Sequence, residues 1–375
     1  MKFKISQEEF SKILIAVNKS LQTKANLPIL SNILISANNR GLEVLSTDLE
    51  TATKVNNKCD VETEGKTTVP GRAMSEFVSQ IPPGEVVVEK LGEEVKVLAK
   101  RYSARFSSMP TEDFPAIPKI DKGKTIVLDG VDFLKAIQKV AFAAAQDEGR
   151  PALAGVLCEI GKKTFSMVAT DGYRLSFQQI ASEGDISLKI IVPAKTLWEV
   201  AKIISESDEE AGKTVRMVIS DGLNQVNFEI GNVEFTSRLI EGEFPAWQKI
   251  IPTNFTSLAK IPKDELAKLV RVAAIFARDS GNIIKLKFEI SGKGGLLTIS
   301  ANNNQVGSNE ASCEIELKGP GGEIAFNFRY LLEVLTSIES EDIFFEMIES
   351  LNPGRLTTGE KEDYFHIVMP VRLQS

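Results

Sequence analysis

The chain has 375 residues, 43% apolar and 25% charged, with a net charge of −7, one histidine and three cysteines. That length exceeds what one core usually organises and predicts two or three domains. No run of about 18 apolar residues occurs, and the start Met-Lys-Phe-Lys-Ile-Ser has no signal-peptide pattern, so a cytoplasmic protein is expected. Cys59, Cys158 and Cys313, odd in number and far apart, read as buried reduced thiols rather than a disulfide frame.

Ser6-Gln-Glu-Glu9 is a capping box, followed by Phe10, Ile13, Leu14, Val17 and Leu21 at helical spacing, which predicts a first helix over Gln7–Leu21. Strands follow at Ile33–Ile35 and at Leu42–Ser46, the latter ending on Thr47-Asp48. After the Val69-Pro turn a second helix covers Arg72–Ile81 and stops at Pro82-Pro83-Gly84. Glu85–Lys90, Glu94–Ala99 and the stretch around Phe106 read as strands, and Pro118–Lys124 as a linker. The second unit opens at Asp129-Gly-Val-Asp132, with helices predicted over Gly130–Ala145 and Ala194–Ile204 and strands including Thr164–Ala169, Thr214–Ile219, Gln225–Ile230 and Val233–Ile240. Pro252-Thr-Asn-Phe is a second linker, and the third unit carries helices at Pro262–Arg278 and Phe328–Ile338.

These elements repeat. Val69-Pro-Gly-Arg-Ala-Met-Ser-Glu returns as Val192-Pro-Ala-Lys-Thr-Leu-Trp-Glu after 123 positions and as Phe326-Asn-Phe-Arg-Tyr-Leu-Leu-Glu after 134 more. Each copy places a basic residue (Arg72, Lys195, Arg329) four places before a glutamate (Glu76, Glu199, Glu333). Phe10, Phe133 and Leu266 open helices, and Thr47-Asp48, Thr170-Asp171 and Asn302-Asn303 end strands, at closely similar offsets. Three landmarks in one order at one period make a triplication of a unit of roughly 125 residues. Each unit is expected to hold two helices and eight strands. The six predicted helices carry twelve Lys/Arg against eight Asp/Glu, a balance of +4, which leaves −11 for the rest of the chain.

No catalytic constellation is present in the sequence. His366, the single histidine, lies in an apolar strand and reads as a strand residue with a satisfied ring. There is no zinc-spaced Cys/His cluster and no phosphate-binding glycine loop. Asp171 in Thr170-Asp-Gly-Tyr has counterparts in Asp48 and Asn303, so a turn-capping role is expected rather than a metal or catalytic one. Repeats with open sheet edges stack side by side. If the helices line one face of a closed ring, six of them at about 10 Å each leave a hole of ~9 Å and twelve leave ~28 Å. A duplex roughly 20 Å wide passes only the second, two-chain ring.

Thr170-Asp-Gly-Tyr-Arg-Leu-Ser, Leu27-Pro-Ile-Leu30, Asp113-Phe-Pro, Gly242-Glu-Phe-Pro245 and the ending Val368-Met-Pro-Val-Arg-Leu373 together resemble the bacterial DNA polymerase III beta subunit family of sliding clamps. The resemblance spans the whole chain. It implies an α+β fold of three clamp domains (1–121, 126–251, 253–375), each with two helices packed on antiparallel sheets. It further implies a head-to-tail homodimeric ring with helices inside, encircling duplex DNA without sequence preference. The implied function is processivity without catalysis, cofactor or metal: a tether for the replicative polymerase, loaded by a clamp loader and shared with repair polymerases through short peptide motifs.

By the same resemblance, an apolar client pocket would use Leu153, Thr170, Gly172, Tyr173, Arg174, Leu175, Pro245, Lys249 and Ile250. The C-terminal segment would add Ile367, Val368, Met369, Pro370, Val371, Arg372 and Leu373. Lys24, Arg72, Gln146 and Lys195 would face DNA, and Phe106, Ile275 and Phe276 would form the dimer joint. Tyr173 and Lys249 depart from the histidine and arginine of many relatives, Pro151-Ala152 replaces a more aromatic loop, and Ser108 is smaller than usual.

Overall fold

The computed structural model describes residues 1–21, 27–117, 120, 122–147, 149–184, 186–292, 294–359 and 363–372. In chain order it runs β1 (Lys2–Ser6), α1 (Gln7–Val17), β2 (Asn32–Asn38), β3 (Gly41–Thr47), β4 (Thr51–Asn57), β5 (Asp60–Thr63), β6 (Gly65–Pro70), α2 (Gly71–Gln80), β7 (Glu85–Leu91), β8 (Glu94–Ala99) and β9 (Tyr102–Ser107). It continues with β10 (Gly123–Asp129), α3 (Gly130–Val140), β11 (Gly155–Gly161), β12 (Thr164–Thr170), β13 (Arg174–Ala181), β14 (Leu188–Pro193), α4 (Ala194–Glu206), α5 (Glu209–Gly212), β15 (Thr214–Ser220), β16 (Gln225–Ile230) and β17 (Val233–Arg238). The last part is β18 (Ser257–Pro262), α6 (Lys263–Ala277), β19 (Ile283–Ser291), β20 (Gly294–Asn303), β21 (Gly307–Lys318), β22 (Gly322–Asn327), α7 (Phe328–Ser337), β23 (Asp342–Met347), β24 (Gly354–Thr357) and β25 (Tyr364–Val368). No helix among the described residues is long and apolar enough to cross a membrane.

Two compact units hold these elements: Met1–Leu134 with Ser182–Ile186 and Lys195–Leu239, and Lys135–Ala181 with Ser187–Ala194 and Ile240–Ser375. In the first, an antiparallel sheet of order β5-β1-β7-β8-β9 accompanies an eight-stranded sheet, β10-β15-β16-β17-β4-β3-β2-β6. α1 buries Phe10, Ile13, Leu14 and Val17, the stripe its sequence predicts. Each such side chain contributes about 1.5–3 kcal/mol on burial. The capping box forms, with Glu9 N donating to Ser6 Oγ at 3.2 Å and Ser6 Oγ donating to Glu9 at 2.8 Å. α1 stops at Val17 rather than at the predicted Leu21, because the Ser46 hydroxyl on β3 takes the Val17 carbonyl and the chain turns into a short 3₁₀ segment.

The second unit is built on one twelve-stranded sheet, β14-β11-β12-β13-β25-β24-β23-β18-β21-β20-β19-β22, with α6 and α7 packed together. Its core gathers Leu266, Val270, Phe288, Leu297, Phe326 and Phe345, and Phe288 stacks on Phe345 with centroids 5.0 Å apart. α3 ends at Val140 instead of Ala145 for the same reason as α1: Ser176 Oγ and Arg174 Nη2 on β13 take the carbonyls of Lys139 and Phe142. Two other expectations need correction. Among the described residues the first repeat has nine strands, since β4 and β5 are separate, and the second has the extra turn of helix α5. Only Cys158 of the three free cysteines is fully buried; Cys59 and Cys313 are half-exposed.

The repeats join through their sheets in the same way in each unit. β17 pairs with β4 in the first, Ser237 opposite Thr51, and β25 pairs with β13 in the second, Val368 opposite Arg174. The bond that continues each joint is also shared: Arg238 N donates to Glu50 O at 3.0 Å, and Met369 N to Tyr173 O at 2.8 Å.

Candidate functional site

Thr170 ends β12 and, with Asp171, builds the turn on which the sequence places several of the predicted pocket residues. Thr170 Oγ1 donates to Arg174 O at 2.6 Å and accepts from Gly172 N at 3.0 Å. Asp171 Oδ1 accepts from Tyr173 N at 2.9 Å and Arg174 N at 3.0 Å. Gly172 sits at φ +93°, a backbone region that a side chain would strain. The carboxylate is thus occupied as a turn cap. Asp48 Oδ1 does the same for Glu50 N and Thr51 N, and Asn303 Oδ1 for Gln305 N and Val306 N. A neutral amide performs the third copy, so the position needs an acceptor oxygen, not a charge.

From this turn the tyrosine and the arginine point to opposite environments. Tyr173 is 61% exposed. The Arg174 side chain is 6% exposed; its Nε lies 3.1 Å from Asp171 Oδ2, its Nη1 on Glu333 of α7, and its Nη2 2.8 Å from Phe142 O. The guanidinium also lies over two rings, Phe142 at 5.2 Å and Tyr330 at 4.8 Å. Burial, and secondarily Asp171, raise the Tyr330 phenol above its ordinary pKa. Arg174 therefore fastens the turn to α7 and to the end of α3. The sequence singled out Glu333 as a repeat landmark without placing it at this site, and it gave no sign of Phe142 or Tyr330.

The two faces of the β13–β25 pair divide the remaining predicted residues. Leu175 and Ile367 are buried in one cluster with Phe177, Trp247 and Phe365, and Ile250 packs against it. Trp247, which the sequence reading passed over, stacks on Phe177 at 5.4 Å and follows Pro245 in the Gly242–Ile250 stretch. Val368 belongs to the other core, with Leu331 and Phe345. The structure thus does not bring Val368 together with Leu175: neighbours along a strand face opposite ways. Leu153 is buried in the 3₁₀ turn Pro151–Ala154, while Pro245 and Lys249 are exposed. Met369, Pro370 and Val371 are half-exposed and Arg372 exposed; Val371 N donates to Ala325 O at 2.8 Å. Leu373 lies outside the described residues.

His366 departs from its expectation. It is fully buried on β25, stacked on Phe142 at 5.4 Å, and neither ring nitrogen has a hydrogen-bond partner among the described residues. Burial, then the nearby Arg174 charge, push its pKa down from 6.5 to about 3. The strand register explains this: with Val368 matching Ser237, His366 occupies the place of the fully buried Phe235 in the preceding repeat. It packs as an aromatic ring.

Of the residues predicted to face DNA, Arg72 and Lys195 are exposed at the second positions of α2 and α4, Gln146 is exposed in a loop, and Lys24 lies outside the described residues. Arg329 repeats the position on α7. A cation in a helix's first turn opposes its macrodipole, at a cost of roughly 0.3–1 kcal/mol each. None of these three first turns holds an acidic residue to offset it. The broader basic excess on the helices is partly neutralised by acids outside the six predicted segments, as Lys12 pairs with Asp208 (3.1 Å) and Lys19 with Glu206 (2.9 Å). Phe106 is half-buried on the edge strand β9 against Phe77 at 6.0 Å. Ile275 on α6 is 56% exposed, and Phe276 packs against the core.

Among the described residues, no group of three or more His, Cys, Asp or Glu side chains is placed to hold a metal. Family models for the N-terminal, central and C-terminal domains of the DNA polymerase III beta subunit match residues 1–118, 127–246 and 248–372. The "Beta sliding clamp" of Pseudomonas aeruginosa is 30% identical over 380 residues, covering 100% of both chains. That of Chlamydia muridarum is 28% identical over 376 residues, covering 100% of this chain and 99% of its own. Two solved structures, each covering 100% of both chains, are the Thermotoga maritima DNA polymerase III beta subunit (TM-score 0.92, 25% identity) and a P. aeruginosa sliding clamp bound to griselimycin (TM-score 0.93, 28% identity). With its three domains matched in order along its whole length, this chain belongs to the DNA polymerase III beta subunit family and has the three-domain clamp fold.

Proposed function

We propose that this chain is a DNA sliding clamp: two copies joined head to tail close a ring around duplex DNA and tether the replicative polymerase for processive synthesis. The observation that carries this reading is the match of all three beta-subunit domains, in order, over the whole chain. The role is non-catalytic. The domains extend over 1–121, 126–251 and 253–375, with helices toward the hole and sheets outward. Lys24, Arg72, Gln146 and Lys195 face the duplex, and the exposure of Arg72 and Lys195 at the same position of α2 and α4 supports that placement. Contacts of this kind address phosphates and leave sequence unread. Phe106 on one protomer meets Ile275 and Phe276 on the other.

Client proteins, among them polymerases and a clamp loader, dock short peptides on the surface framed by Leu153, the 170–175 turn, Pro245, Lys249, Ile250 and residues 367–373. The exposed Tyr173 and half-exposed Met369, Pro370 and Val371 support this, since a flexible apolar side chain such as Met369 adapts to several partners. The protein acts in the cytoplasm, and nucleotide chemistry belongs to the loader. Primer extension on a singly primed circle tests the function. With the cognate loader and polymerase, adding this chain should lengthen the products of single binding events; products of unchanged length would refute the tethering role.

A further inference from the structure

The first unit contains a second pocket built on the frame of the client site. The frame is the same bond for bond. Thr47 Oγ1 donates to Thr51 O at 2.7 Å and accepts from Leu49 N at 3.0 Å, as Thr170 does with Arg174 and Gly172. Asp48 caps the turn as Asp171 does, and Arg238 N meets Glu50 O as Met369 N meets Tyr173 O. Pro115, Ala116 and Ile117 line it, in a Phe-Pro-Ala run that recurs in sequence as Phe244-Pro-Ala-Trp247. Together they enclose a cavity of about 220 Å³ whose lining includes Leu49, Glu50, Pro115, Ile117, Thr236 and Arg238.

The lining chemistry differs from that of the first pocket. By strand register, Ile367, Val368 and Met369 are replaced by Thr236, Ser237 and Arg238, and Leu175 by Ala52. The cavity is smaller than a usual ligand pocket and fits one modest side chain. Beyond the backbone bonds that Leu49 and Arg238 give to the frame, their side chains stand at its rim. Leu49 holds φ +76° where the client turn has glycine, and its side chain remains 48% exposed. Arg238 is exposed and makes no side-chain ion pair among the described residues. A strained, exposed leucine beside an exposed cation that has no ion pair among the described residues, over a small cavity, is complementary to a small apolar residue followed by a carboxylate.

We propose that this pocket docks a short extended acidic peptide segment, a small apolar side chain entering between Leu49 and Pro115 and the adjacent carboxylate pairing with Arg238. The segment is a second point of attachment for proteins that bind the first pocket. In that respect the proposal extends the client-binding reading, but its test uses only residues of this pocket, so either can fail alone.

Saturation-transfer NMR on the full chain, with acetyl-Ser-Val-Glu-Ser-amide as the probe, decides it. The valine methyls should receive the transfer, with affinity in the millimolar range. Arg238→Glu should weaken binding by ~5-fold or more, and Glu50→Gln, which removes the repelling carboxylate at the rim, should tighten it by ~2-fold. Both positions are exposed, and circular dichroism checks that the variants fold. The proposal is overturned by absence of transfer at ~10 mM peptide, by equal affinity in wild type and both variants, or by a Ser-Val-Lys-Ser probe binding as well as the acidic one.

Discussion

Removing the Arg174 guanidinium should loosen the proposed client site from inside the second unit. In Arg174→Ala, Asp171, itself largely buried, loses its cation while keeping its two backbone N–H donors. Phe142 O loses a donor at 2.8 Å, and the Phe142 and Tyr330 rings lose the cation between them. Breaking a buried pair by removing one partner costs about 3–5 kcal/mol. An orphaned carbonyl costs ~1–3 kcal/mol and each lost cation–ring contact ~0.5–2 kcal/mol. These overlap, so the whole loss should be about 3–5 kcal/mol. Glu333→Gln is far milder, because Glu333 is about half exposed and the amide keeps an acceptor; ~1 kcal/mol or less is expected. Urea unfolding followed by Trp247 fluorescence, in a Trp198→Phe background, isolates this unit. A loss below ~1 kcal/mol for Arg174→Ala would refute the claim that this contact set holds the turn.

Other consequences are equally direct. His366→Phe should flatten the acid side of the stability profile. With a folded pKa of about 3 against an ordinary 6.5, the unfolded chain binds the extra proton between those values. Stability therefore falls as pH drops through that window, by at most about 1.4 kcal/mol per pH unit. The variant should lose that part of the slope in denaturation from pH 7 to pH 4; parallel profiles would contradict it. Ile275→Asp should convert the dimer to monomer in light scattering, as an unpaired buried charge costs several kcal/mol; an unchanged dimeric mass would misplace the joint. Deleting Met369–Ser375 should leave fold and dimer intact while removing most client-peptide binding in fluorescence anisotropy, and unchanged affinity would locate docking elsewhere.

What the sequence disclosed was local or periodic. The 123-residue offset located matching helices, and the Thr-Asp, Thr-Asp, Asn-Asn series identified the cap that Asp48, Asp171 and Asn303 form. What it withheld depends on contacts between distant segments. Val17 ends α1 because Ser46 lies beside it, and Lys19 is neutralised because Glu206 does. His366 looked polar in sequence but occupies a phenylalanine-like position, a fact visible only once β25 is aligned with β17 through their partners. The division of Leu175 and Val368 between two cores follows from strand alternation, which the family resemblance alone did not resolve.

Enclosure of the duplex is the central claim, and topology tests it without reference to any single residue. Protein loaded onto a nicked circular duplex should stay bound through gel filtration in moderate salt, and linearising the circle with one cut should release it within the column time. A ring held by enclosure has only weak phosphate contacts to retain it once an end is available. Equal retention on circular and linear DNA, lost together as salt rises, would contradict the account.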